Sequence, residues 1–157
     1  MNYKDCDMKN RVQRIIRGEQ LAGARLIRLL EEGDPQGIEM LKLLYPNTGK
    51  GYIVGITGPP GSGKSTLVNS IIGEFRQSGM KVAVVAIDPS SPISGGALLG
   101  DRIRMRCHSV DDGVFIRSMA TRGHLGGLSR TARETVLVLD AMGYEVIIIE
   151  TVGVGQD

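Results

Sequence analysis

The sequence predicts an α/β protein with a mostly parallel sheet flanked by helices and preceded by an N-terminal helical hairpin. Three observations carry this. Past residue 50, short β-rich runs alternate with stretches of helical periodicity. The run KVAVVAID is almost continuously apolar, as a parallel strand covered on both faces requires. A glycine-rich stretch joins the first β-rich run to the helix after it, and strands alternating with helices imply right-handed crossovers between parallel neighbours.

Residues 1–49 are expected to form a helical arm and residues 50–157 the α/β part. In the arm, Val12, Ile15, Ile16, Leu26, Ile27, Leu29 and Leu30 recur near helical spacing with arginines between them, predicting one helix from Val12 to Leu30. Gly33-Asp34-Pro35 breaks it: Asp34 suits an N-cap and Pro35 a first turn. The second helix carries Ile38, Leu41 and Leu44 on one face and ends before Pro46. After the turn-rich PNTGKG come the strand YIVGIT, a helix marked by Leu67, Val68, Ile71, Ile72 and Phe75, the strand KVAVVAID and the strand GVFIRS. Ser129 can cap a helix from about Arg130 to Met142, stopped by Gly143, and EVIIIET is the fourth strand.

Composition excludes several classes. A net charge of +2 and 4% aromatic residues argue against nucleic acid as a partner. Cys6 and Cys107 lack metal-ligand spacing and read as free thiols of a reducing compartment. The charged N-terminus has no apolar signal-peptide core, and no apolar run approaches the roughly 20 residues of a membrane span. The expectation is a cytoplasmic protein without a membrane partner.

Between the first strand and its helix stands GPPGSGKST, which fits G-x-x-x-x-G-K-[ST] with Gly58, Gly63, Lys64 and Ser65 in the defining places. Such a loop must bend so that successive N–H groups face a phosphate, and glycine tolerates the dihedrals. Gly58, Pro59, Pro60, Gly61, Ser62, Gly63, Lys64, Ser65 and Thr66 are therefore the expected nucleotide cradle of a P-loop NTPase. Lys64 supplies a cation to the β- and γ-phosphates, Ser65 a ligand to Mg²⁺, and the following helix its dipole. Phosphoryl transfer also needs acidic groups around the metal. Asp88 and Glu150 end strands at the sheet edge that carries the loop, and Asp101 lies in GGALLGDRIRM. Ser65, Asp88, Asp101 and Glu150 are the candidate metal residues, and Lys64, Asp101 and Glu150 the candidate catalytic ones. Gly153 completes E-x-x-G, where its amide can sense a γ-phosphate. His124, Arg102, Arg104 and Arg106 read more simply as structural or solvated side chains than as catalytic ones, and Gln156 is a candidate to orient water that lies two places beyond the glutamine of D-x-x-G-Q.

In GITGPPGSGKSTLVNSI, VAVVAIDPSSPISGGALLGDRIRM, IRSMATRGHLGGLSR and VIIIETVGVGQD the chain resembles the cobalamin-associated GTPases that act as chaperones of methylmalonyl-CoA mutase, also described as kinases of a lysine/arginine/ornithine transport system. The resemblance implies GTP or GDP with Mg²⁺ as ligands, an adenosylcobalamin-dependent acyl-CoA mutase as partner and a homodimer for the full-length protein. It places Asp88 and Asp101 in the magnesium and switch I region and Glu150 to Gly153 in switch II. That family continues through a base-recognition segment of the N-K-x-D type, which these residues lack, so the chain reads as the N-terminal portion of a longer protein. Two other readings stay open, a kinase using the same loop and a metal-delivery GTPase, though no His- or Cys-rich tract supports the latter.

Overall fold

A computed structural model describes residues 3–88, 108, 110–120 and 130–152. Four strands, β1 (Tyr52–Gly58), β2 (Val82–Asp88), β3 (Val114–Ala120) and β4 (Val146–Val152), form one parallel sheet in the order β1-β4-β2-β3. This is the predicted sheet. β2 and β4 lie between neighbours, and Val82 to Ile87 and Val146 to Ile149 are all buried, which is why both read as unbroken apolar runs. β1 is an edge strand whose first residues, Tyr52 and Ile53, are 70% and 53% exposed.

Helix α4 (Lys64–Gln77) packs on β1, β2 and β4. Its buried residues Val68 and Ile72, one turn apart, close a core with Val82, Val84, Val114, Val146 and Ile148. Each such side chain contributes about 1.5–3 kcal/mol on leaving water. The C-terminal end of α4 is tied to the turn before β3: Arg76 makes a two-pronged ion pair with Asp111, both bonds 2.9 Å, and donates to the Met80 carbonyl at 2.7 Å. The Arg76 guanidinium, then the Gly113 amide, hold the Asp111 carboxyl below its usual range.

A separate compact unit gathers the helices α1 (Tyr3–Ile16), α2 (Gln20–Glu32), α3 (Pro35–Leu44) and α5 (Arg130–Ala141). The expected hairpin is α2 with α3, and the Asp34 carboxylate accepts from the Gln36 amide at 2.8 Å as an N-cap. Two details differ from the sequence reading. The single helix expected from Val12 to Leu30 is divided into α1 and α2, because Gly18 takes a left-handed φ of 82° that ends the first helix. The buried face of α3 is Gly37, Met40 and Leu44, while Ile38 and Leu41 are only half-buried. Gly37 lies close against the Leu29 and Leu30 backbone, where any Cβ would come within 3.2 Å, so this face is chosen by close approach and not by hydrophobicity alone.

α5 contacts α2 and α3 through a buried face that includes Ala132, Val136 and Leu139. Tyr144, just beyond it, is buried and hydrogen-bonds with Gln20, and burial pushes its hydroxyl up to about 12, against that bond's opposing pull. Asp140, 8% exposed, accepts from the consecutive amides of Gly49, Lys50 and Gly51, at 3.2 Å from Lys50 and 2.8 Å from Gly51. These amides immediately precede β1. A carboxylate receiving several N–H groups is a strong acceptor, so the segment entering the sheet is fixed from the helical unit's own side.

Candidate nucleotide site

The loop between β1 and α4 has the shape its residue types demand. Gly61 and Gly63 adopt left-handed φ angles of 76° and 85°, which side-chain-bearing residues rarely take. A Cβ on Gly58 would come within 3.3 Å of Ser62 Oγ and 3.6 Å of Lys64 Cδ, inside the space the loop encloses. Pro59 and Pro60 have no N–H to offer, so the donors for an anion begin at Gly61. The first helical bond of α4 runs from the Leu67 amide to the Gly63 carbonyl at 3.0 Å. The amides of Lys64, Ser65 and Thr66 therefore have no acceptor within the helix, and Gly63 provides no side-chain cap. Although the Ser62 amide bonds the Pro59 carbonyl at 3.3 Å, a helix start with three unbonded amides and no side-chain cap suits an anion such as phosphate.

Lys64 and Ser65 are held ready in different ways. The Lys64 ammonium donates to the carbonyls of Gly58 and Pro59, each at 2.8 Å. Ser65 Oγ donates to Glu150 Oε1 at 2.9 Å. Glu150 sits on β4 in register with Ile56 of β1 and Ala86 of β2, two residues before the strand ends that carry the loop. It is 8% exposed, and its Oε2 is buried without a hydrogen-bond partner among the described residues. Buried polar atoms are rarely left unpaired. A carboxylate with one oxygen on a serine hydroxyl and the other free offers the hard oxygen donors that suit Mg²⁺, either directly or through its water.

Of the remaining residues singled out from sequence, Asp88 is the last residue of β2, two places beyond the register partner of Glu150, so its backbone lies at the same sheet edge. Asp101, Gly153, His124, Arg102, Arg104, Arg106, Gln156, Cys107 and Ser129 lie outside the described residues. Cys6 is exposed and free. Among the described residues no helix is long and apolar enough to cross a membrane. Sequence reasoning missed the Ser65–Glu150 bond and the Asp140 clamp. The second left a trace, an acid set in the apolar run VLVLDAM three residues before the helix-ending Gly143.

A family model described as "Methylmalonyl Co-A mutase-associated GTPase MeaB" matches residues 23–157. The chain is 58% identical over 145 residues to a candidate GTPase of Pyrococcus abyssi, covering 92% of this chain and 45% of that one. It is 40% identical over 156 residues to GTPase ArgK of Escherichia coli, covering 97% of this chain and 47% of the relative. A crystal structure of an LAO/AO transport system kinase matches with a TM-score of 0.74 and 30% identity, over 99% of this chain and 45% of that one. The chain thus spans about half the length of the relatives it matches.

Proposed function

The chain belongs to the family of methylmalonyl-CoA mutase-associated GTPases, and from that premise we propose that it forms the phosphate- and magnesium-binding part of a GTP-hydrolysing chaperone. The observation that carries the reading is Ser65 bonded to Glu150 at the mouth of the phosphate loop. The amides from Gly61 to Thr66 and the Lys64 ammonium hold the β- and γ-phosphates. Lys64 is released from Gly58 and Pro59 as it turns to them. Ser65, Asp88, Asp101 and Glu150 are the proposed holders of Mg²⁺ or of its water shell, and the ion when bound neutralises charge that builds on the transferring phosphoryl group. Glu150 additionally orients the attacking or metal-bound water, and the Gly153 amide reports whether the γ-phosphate is present.

The partner in this reading is an adenosylcobalamin-dependent acyl-CoA mutase, whose cofactor loading is gated by the GTP or GDP state. The relative titled a transport system kinase supports a second reading in which the same loop delivers the phosphoryl group to an acceptor other than water. Residues 1–49 serve as the helical arm, and the complete protein acts in the cytoplasm as a homodimer. The deciding experiment is calorimetry of the full-length protein and Lys64→Ala with GDP and a non-hydrolysable GTP analogue. Binding is expected to fall below detection in the variant, because the loop's own flexible cation over the phosphates is gone. Unaltered affinity for both nucleotides overturns the assignment. Phosphate release from GTP without any acceptor separates hydrolase from kinase.

A further inference from the structure

We propose that the helical unit holds a second binding pocket, for a small amphipathic anion with an apolar body and a carboxylate or phosphate head. A cavity of about 350 Å³ is lined by residues of α1, α2 and α3, within the range of roughly 300–1,000 Å³ common to small-molecule sites. Its lining follows helical spacing, with Arg11 and Arg14 on α1 and Arg25, Leu26 and Leu29 on α2, joined by Met40 of α3. Half-buried Leu29 and Ala22 give the accessible apolar part, with Leu26 and Met40 buried beneath them, while Arg11 and Arg25 are exposed and Arg14 half-buried.

The charges around this cavity are unbalanced. Three guanidinium groups line it against one lining carboxylate, that of Asp7, and with Glu19 beside the lining taking up Arg14 the excess is the single charge of Arg25. Arg11 pairs with Asp7 at 2.8 Å and Arg14 with Glu19 at 2.7 Å, whereas Arg25 has no ionic or hydrogen-bond partner among the described residues. Both pairs are solvent-exposed, and such pairs are worth only about 0–1 kcal/mol, so an incoming anion can take either arginine at little cost. An arginine presents a planar fork that matches a carboxylate or phosphate. A purely structural groove between helices would need neither the free guanidinium nor the positive excess. The family match starts at residue 23, so α1 and its arginines lie outside it, and the pocket does not depend on the nucleotide reading.

The test uses the 157-residue protein, with amide chemical shifts followed by NMR during titration with octanoate, octyl phosphate and octan-1-ol. Both anions should give saturable shifts in α1 and α2, with the alcohol at least about tenfold weaker, since it shares the apolar body without the charge. Arg25→Glu should weaken both anions about tenfold or more with the thermal midpoint unchanged, because the side chain is exposed and has no partner among the described residues. Arg25→Gln provides the same comparison without charge reversal. Either order of the two anions supports the pocket and assigns its head group. Equal binding of octan-1-ol, anion affinities unaffected by both variants, or no saturable shift in these helices at about 10 mM overturns the proposal.

Discussion

The hydroxyl of Ser65 has one proton to donate, and it goes to Glu150. In the proposed reading a magnesium ion would draw on the hydroxyl's lone pairs and on the carboxylate, which the bond between them already holds together. Glu150→Gln keeps the shape and one acceptor oxygen while removing the charge. In the full-length protein this variant should hold nucleotide within about 1 kcal/mol of the original while steady-state hydrolysis drops on the order of 10²-fold, a usual loss for a positioned electrostatic group. An unchanged rate would reduce Glu150 to a buried strand residue. Lys64 and its glycines were legible from spacing alone, because the loop is contiguous in sequence. The Ser65–Glu150 bond was not, because it joins residues 85 positions apart and exists only once the β1–β4 register is set.

Among the elements, the strands were read almost to the residue, since β2 and β4 are buried on both faces and leave continuous apolar runs. The division of α1 from α2 was not, because a single glycine in a periodic stretch is compatible with either outcome until its φ is known. Nor could periodicity reveal that α5 packs with α2 and α3: an apolar stripe states which face is buried and is silent about what covers it. The Arg76–Asp111 pair that anchors the end of α4 has a pH signature. The folded Asp111 carboxyl is held below its ordinary value of 3.8, so its contribution to stability is full above that value and is lost as pH falls through the lower, folded one. Thermal midpoints of the wild type and Arg76→Gln should differ by a constant amount near neutrality and converge at pH below the ordinary aspartate range. A gap that persists undiminished into strong acid would mean the arginine acts through its bond to the Met80 carbonyl instead.

For the molecule as a whole, the proposed site would meet phosphate through groups shared by every nucleoside triphosphate, and the 157 residues contain no N-K-x-D segment. This chain alone should therefore bind GTP and ATP with similar affinity. A competition titration that finds GTP at least about tenfold tighter would reveal a guanine-reading segment within these residues. Strand β1 gives a further whole-molecule feature, with no neighbour on its outer side among the described residues and exposed apolar residues at its start. An edge of that kind invites another strand.

Asp140 turns three amides into one event. Because a single carboxylate receives the Gly49, Lys50 and Gly51 protons, none of the three can reach solvent freely while it stays in place, and all three can once it leaves. Hydrogen exchange should record them as a single kinetic class, opening and closing in unison, and Asp140→Asn, which retains one acceptor oxygen, should accelerate the three together on the order of tenfold or more. Independent exchange rates for the three would show that the segment frays one residue at a time. If they do move as one, the stretch from Gly49 to Gly51 works as a latch with two positions and no intermediate, fastened or loose as a whole.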